Sequence, residues 1–282
     1  DGRFLIASYF DDISNSLIVL WDMATGEAFQ SQIFPNEYIK SVDYSPDGQF
    51  IVITGRPVII WDVEQWALND TYVTDSYPYN AIYSPDGKII AMVDNESVQI
   101  FDVQTKDLIH ILDRRVVLGG GLAFSLDGQF LVSRASESVA IWDVMNGEIA
   151  HTLMGFGSYM NDIAMSYDGA YIAYGYSYAL RVADIATLND FQGIQSIPAV
   201  ITLHEYLYSR SLDDLIYSPD GRYLATLQTD YSIMVWDAMT GAEVQFFINE
   251  NRNYNGLDLH SLAFRPNTTI LTAIDEGVVK FW

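Results

Sequence analysis

Apolar positions along the chain come in short runs, continuous in Phe50-Ile51-Val52-Ile53 and Tyr223-Leu224-Ala225-Thr226 and interrupted in Ser41-Val42-Asp43-Tyr44. None approaches the ~18 residues that a membrane helix needs. Between the runs the same turn recurs. Ser-Pro-Asp-Gly stands at Ser45 to Gly48, Ser84 to Gly87 and Ser218 to Gly221. Ser125-Leu126-Asp127-Gly128 and Ser166-Tyr167-Asp168-Gly169 keep its register, Arg265-Pro266-Asn267 is a degenerate copy and Asp1-Gly2 the tail of another. Proline presets φ at the second turn position and glycine supplies the positive φ that closes a tight hairpin, so each copy predicts two antiparallel strands joined by a turn.

A second marker follows each turn: Trp21-Asp22, Trp61-Asp62, Phe101-Asp102, Trp142-Asp143, Ala183-Asp184, Trp236-Asp237 and Phe281-Trp282. Successive markers lie roughly 40 residues apart, the period of one four-stranded unit, with the longest gap between Asp184 and Trp236. Three markers run into a further turn, Asp-x-x-Thr/Asn-Gly, at Asp22 to Gly26, Asp143 to Gly147 and Asp237 to Gly241. There the aspartate caps local N–H groups and the glycine takes the left-handed position.

These residues resemble the WD-repeat β-propeller family, over the whole chain. The resemblance implies an all-β fold: a seven-bladed β-propeller of four-stranded antiparallel blades forming one domain over 1–282. The blades are marked by Trp21, Trp61, Phe101, Trp142, Ala183, Trp236 and Phe281. The chain departs from the family in three ways. The Gly-His pair that usually precedes the inner strand is missing, so the His, Ser/Thr, Asp and Trp tetrad of the family is not general, and blade cohesion is expected to lean on apolar packing. Repeat five has Ala183 in place of Trp, so one contact between blades should be weaker. The first strand of blade one and the last strand of blade seven are missing from this chain, which reads as part of a longer protein whose other domains are expected partners.

Half of the residues are apolar, with 19 Tyr, 14 Phe and 6 Trp, as in a soluble globular protein. With no cysteine there is no disulfide, thiolate metal site or cysteine nucleophile. The compartment stays open, the cytoplasm slightly favoured, and no signal peptide is visible at Asp1-Gly2-Arg3. The net charge of −23 repels nucleic acid and anionic membranes, so neither nucleic-acid binding nor membrane insertion is expected. Much of that acidity sits in turns the fold demands.

In such a blade the loops between second and third strands, and from the fourth strand to the next blade, share one face, the top. The top loops carry more than half of the 19 tyrosines and half of the 14 basic residues, Lys40 and Arg56 among them. Tyrosine and arginine supply rigid contact area and bidentate pairing at interfaces. The candidate partner-binding residues are therefore Tyr38, Arg56, Tyr77, Tyr79, Arg114, Arg134, Tyr159, Tyr176, Tyr178, Tyr208, Arg210 and Tyr231. Tyrosine is also a good strand residue, and some of these rings are expected to pack between blades. The gap between Asp184 and Trp236, with Phe191, Ile194, Ile197 and Pro198, is a second candidate for contact.

Catalytic machinery is not visible. His110 and His151 fall on fourth strands, His204 and His260 lack zinc-site spacing, and no serine stands in a Gly-x-Ser-x-Gly elbow. Gly119-Gly120-Gly121 has no following Lys-Ser/Thr and reads as a connector, while Asp11-Asp12 and Asp94-Asn95-Glu96 lack calcium-loop spacing. The expectation is a non-catalytic scaffold or recognition module without cofactor or metal, binding a protein or peptide. The alternative is a small-ligand or glycan-binding propeller, or a hydrolytic one, using the central channel.

Overall fold

In the computed structural model the described residues are 2–10, 15–35, 37–74, 77–112, 121–134, 138–154, 160–166, 168–176, 179–185, 201–204, 212–228, 232–247, 262–264, 269–275 and 278–281. They form seven antiparallel sheets, each a meander of consecutive strands. The first holds β1 (Phe4–Phe10), β2 (Asn15–Asp22) and β3 (Glu27–Pro35). The second holds β4 (Val42–Tyr44), β5 (Phe50–Ile53), β6 (Val58–Asp62) and β7 (Ala67–Tyr72). The third holds β8 (Asn80–Tyr83), β9 (Ile89–Val93), β10 (Val98–Asp102) and β11 (Leu108–Leu112). The fourth holds β12 (Leu122–Phe124), β13 (Phe130–Arg134), β14 (Ser138–Asp143) and β15 (Glu148–Met154). The fifth holds β16 (Met160–Met165), β17 (Tyr171–Tyr176), β18 (Ala179–Asp184) and β19 (Ile201–His204). The sixth holds β20 (Leu212–Tyr217), β21 (Tyr223–Gln228), β22 (Ile233–Asp237) and β23 (Glu243–Phe247). The last holds β24 (Leu262–Phe264), β25 (Leu271–Asp275) and β26 (Val278–Phe281). Only the first and last sheets have three strands, as the register of the repeat expects.

The expected hairpin turn is present, and its serine is the hub. Ser45 Oγ donates to Asp47 Oδ1 at 2.6 Å and accepts from Phe50 N–H at 2.9 Å, while Asp47 Oδ1 also accepts from Gln49 N–H. Ser84, Ser125, Ser166 and Ser218 repeat the Ser–Asp bond. It survives at Ser125, where leucine replaces the proline, so Ser-x-Asp-Gly is the working unit. The glycine takes φ near 70° as expected, +72° at Gly48. In the marker turn, Asp22 Oδ1 accepts from Ala24 N–H at 2.8 Å. Where the glycine of that turn is absent, Trp66 (φ 50°) and Lys106 (φ 64°) occupy the left-handed position themselves. Each is held by the preceding sheet: Trp66 Nε1 donates to Ser31 O at 3.2 Å, and Lys106 pairs with Asp70.

Chain contacts gather the protein into two units, Asp1–Leu122 and Ala123–Trp282. In each the core is a set of layers between successive sheets. In the first unit Ile18 and Phe34 meet Ile51, Ile53 and Trp61, and Val52, Val58 and Ile60 meet Ala81, Ile90, Met92 and Phe101. In the second, Val132, Val139 and Ile141 meet Ile163, Ile172 and Tyr174; Ala173, Leu180 and Val182 meet Leu212, Leu224 and Trp236; and Ala225 and Leu227 meet Leu262 and Leu271. Second strands are covered on both faces, which is why they read as continuous apolar runs: Ile51, Val52 and Ile53 are all buried. Fourth strands lie outermost and expose residues such as Phe29, Leu68, Ile109 and Val244. Ala183 is fully buried, and Tyr174 brings an aromatic ring to the same layer. Gly175 lies within β17, where a Cβ would meet Leu212 Cδ1 of the next sheet at 2.4 Å.

Two polar devices accompany the apolar layers. First, Trp142 Nε1 donates to Ser133 Oγ at 2.8 Å and Trp236 Nε1 to Thr226 Oγ1 at 3.2 Å. Each hydroxyl stands two residues beyond the tryptophan's cross-strand partner, Leu131 or Leu224. That position holds Ile53 opposite Trp61 and Ala7 opposite Trp21, and both of those indole N–H groups are buried without an acceptor among the described residues. Half of the family tetrad thus persists wherever the second strand carries a hydroxyl. Second, first strands are latched side by side. Ser41 Oγ accepts from Ala81 N–H at 3.1 Å and Asp43 Oδ2 from Tyr83 N–H at 3.0 Å; Asp162 Oδ2 accepts from Leu215 N–H at 3.0 Å and Asp214 Oδ2 from Leu262 N–H at 2.5 Å. Bulges in β16 and β20 accompany the last two.

Ser133→Ala is expected to cost about 1–3 kcal/mol by orphaning the Trp142 indole N–H. The loss should shrink in a Trp142→Phe background, a coupling that urea unfolding of the four proteins of the cycle measures. Burial pushes the Asp43 carboxyl up to about 6, so between the ordinary aspartate value near ~4 and 6 the folded chain holds a proton that the unfolded chain gives up. Stability attributable to Asp43 therefore falls as pH rises through that window. Asp43→Asn should melt above the wild type at pH 7 and level with it at pH 4, as thermal melts at the two values will show.

Candidate functional site

In the first unit, the strand ends away from the Ser-x-Asp-Gly turns carry a cluster built by three connections: 37–41 between β3 and β4, 54–57 between β5 and β6, and the stretch from Tyr77 into β8. Hydroxyls at the ends of the second and third strands fix the backbone. Ser16 Oγ accepts from Ile39 N–H at 3.0 Å and donates to Glu37 O, while Thr54 Oγ1 accepts from Lys40 N–H at 3.0 Å and Ser41 N–H at 2.8 Å. With residues 39 to 41 pinned, Lys40 Nζ sits 3.4 Å from the centroid of the Tyr79 ring and 5.5 Å from that of Tyr38. Arg56 Cζ lies 5.4 Å from the Tyr77 centroid. Tyr79 is held in turn, its N–H donating to Val93 O at 2.7 Å and its hydroxyl to Asn95 Oδ1 at 2.6 Å.

Four of the expected contact residues, Tyr38, Arg56, Tyr77 and Tyr79, are thus brought together with Lys40. Tyr38 and Tyr77 are 56% and 53% exposed, so their rings are surface rather than core. Partial desolvation lowers the Lys40 ammonium below its usual range, and Glu37 is close by, its Oε2 3.6 Å from where a Cβ on Gly55 would stand. Two cations backed by three rings, with one carboxylate nearby, offer charge and ordered aromatic area at the surface. The Asp94 and Asn95 side-chain oxygens are engaged by the protein: Asp94 Oδ1 accepts from Glu96 N–H and Ser97 N–H, Asp94 Oδ2 from Gln99 Nε2, and Asn95 Oδ1 from Tyr79.

In the second unit, Arg134 closes β13 and is half-buried; burial lowers its pKa while the charge of Asp162 raises it. Asp162 and Asp214 hydrogen-bond to each other. Burial first, and then the Asp214 charge, push the Asp162 carboxyl well above the usual carboxylate range. This row of titratable groups was not anticipated. The signal was available, because Ser41, Asp162 and Asp214 all stand four residues before the serine of their turns.

Tyr176 ends β17, paired with Met160 and Ala179. Arg114, Tyr159, Tyr178, Tyr208, Arg210 and Tyr231 lie outside the described residues, as do most of the insertion after Asp184, the Asp11-Asp12 pair and His260. His110 and His151 stand on fourth strands, opposite Ile100 and Ile141. Among the described residues no group of three or more His, Cys, Asp or Glu could hold a metal ion, and no helix is long and apolar enough to cross a membrane.

Residues 200–237, one repeat with its Ser218 turn and Trp236 marker, match the family model described as WD domain, G-beta repeat. No curated protein sequence matches the chain. Among solved structures it is similar to the β-propeller domain of Cps50 (Swd1) from Myceliophteria thermophila, with a TM-score of 0.80 at 16% identity, covering 100% of this chain and 93% of that one. Since 1710 solved chains match, the likeness speaks for the fold and not for a particular activity. With one WD repeat matched over residues 200–237 and a propeller likeness along its full length, the chain has a β-propeller fold.

Proposed function

We propose that this chain is a non-catalytic interaction module, a seven-bladed propeller over 1–282 that holds a protein or peptide partner through its top loops. The observation that carries this reading is the exposed cluster of Tyr38, Lys40, Arg56, Tyr77 and Tyr79, in which two cations lie against aromatic rings. Ordered rings on a pinned backbone lose little conformational freedom on binding, and stacked cations keep charge available for a partner's carboxylates or carbonyls. Arg114, Arg134, Tyr159, Tyr176, Tyr178, Tyr208, Arg210 and Tyr231 are proposed as further contacts from the corresponding loops, and other domains of a longer chain as further partners. The small-ligand reading gains nothing from Asp162 and Asp214, whose carboxyls are spent on the N–H groups of Leu215 and Leu262.

The test is a peptide library selected against the chain, followed by affinity measurement with the Tyr38→Ala, Arg56→Ala, Tyr77→Ala triple variant. These side chains are exposed or at a loop, so the variant should melt within a few degrees of wild type. Affinity for selected peptides should fall about 100-fold or more, as for loss of several interface anchors. Peptides that bind the folded triple variant undiminished would place recognition elsewhere.

A further inference from the structure

At the other ends of the same strands, where the Ser45 and Ser84 turns lie, the second and third sheets leave a cleft of about 280 Å³. That is just below the ~300–1,000 Å³ of pockets for drug-sized ligands, and suits a single side chain. Its walls are apolar and aromatic: Phe50, Ile60, Tyr72, Tyr83 and Val103. Tyr72 packs edge-on against Phe101, the shorter ring that stands where neighbouring sheets have tryptophan, with centroids 5.4 Å apart. The rim carries Asp47, Asp70, Asp86 and Asn69.

The rim acids are not equivalent. Asp86 is paired with Lys88 at 2.8 Å, and Asp70 with Lys106. Asp47 has no cationic partner among the described residues. Its turn bonds, from Ser45 Oγ at 2.6 Å and Gln49 N–H at 3.0 Å, both fall on Oδ1, which leaves Oδ2 available. The hydrogen bond from Ser45 holds the Asp47 carboxyl below the usual range, so it is charged at neutral pH. A second, independent sign comes from Tyr83. The residue is 8% exposed and lines the cleft, and its hydroxyl makes no hydrogen bond among the described residues, which leaves it open to a polar occupant.

We propose that this cleft is a binding site for an alkyl-guanidinium group, the chemistry of an arginine side chain, with the stem along Phe50, Ile60 and Val103 and the cation on Asp47 beside the Tyr83 hydroxyl. A guanidinium suits it better than an ammonium because it is planar, weakly hydrated and able to stack on the tyrosine walls while donating in a fork. A chain of net charge −23 adds a long-range attraction for a cation. The site is separate from the Tyr38 to Tyr79 cluster and stands or falls independently of it.

The test is a titration of the full chain at pH 7 with N-acetyl-arginine amide, its uncharged isostere N-acetyl-citrulline amide, and the peptide Gly-Gly-Arg-Gly-Gly, followed by NMR. The arginine amide should bind saturably and the citrulline amide at least tenfold more weakly. Asp47→Asn should weaken the arginine amide about tenfold or more. Tyr83→Phe, which keeps the ring and its packing, should weaken it severalfold, and Val244→Ala, on an exposed fourth strand of the second unit, should leave it unchanged. A peptide that binds more tightly than the amide would assign the site to a partner's arginine, and equal affinity to a free small cation. Equal binding of the citrulline and arginine amides, no saturable binding, or affinity indifferent to both Asp47→Asn and Tyr83→Phe in folded variants would overturn the proposal.

Discussion

No sheet in this protein can cover its own faces. A four-stranded meander is apolar on both sides at its second strand, and only another sheet laid against it removes that surface from water. Everything else follows from this dependence on the neighbour. Phe34 of one sheet meets Trp61 of the next edge-on at 5.7 Å, and Tyr72 meets Phe101 in the same way at 5.4 Å. In the first unit the aromatic marker receives the outer strand of the preceding sheet, Trp61 that of the first sheet and Phe101 that of the second. Large rings at these positions bury the most area per residue, which is why the marker tolerates Phe101 in place of tryptophan more readily than a polar residue.

Polar groups are arranged around that packing so that burial leaves few of them unpaired. Serine in the hairpin turn bonds its own aspartate and the N–H five residues on, so a local motif closes without help from elsewhere. The first-strand latches work between neighbouring sheets instead, a side chain of one first strand receiving the N–H of the next. The exposed cluster at Tyr38, Lys40 and Tyr79 grows out of the same scheme, since Thr54 and Ser16 fix the backbone that presents it.

Whatever is local was legible in the sequence. Hairpins at Ser45, Ser84 and Ser218, the marker turns at Asp22, Asp143 and Asp237, and the placement of His110 and His151 on fourth strands follow from turn chemistry and alternation within one repeat. The grouping of Tyr38, Arg56, Tyr77 and Tyr79 was legible as a set of loops but not as pairs, because the stacking of Lys40 depends on distances between different repeats. The Asp162–Asp214 pair was hidden for the same reason, being made by two bulges some 50 residues apart in sequence. Trp66 and Lys106 are not residue types that favour the left-handed region, and their bonds to Ser31 and to Asp70 help to hold the conformation.

The latches on the first strands give the repeats individual identities. Burial, and then the facing Asp214, raise the Asp162 carboxyl above the usual range, and Asp214 in turn receives the N–H of Leu262. The corresponding position holds Ser41 in the second sheet and Asn80 in the third. The sheets share one outline but are not interchangeable parts: transplanting the second into the place of the fifth would set a serine where the acid facing Asp214 belongs. A protein assembled from copies of one pattern thereby acquires a fixed order of its members.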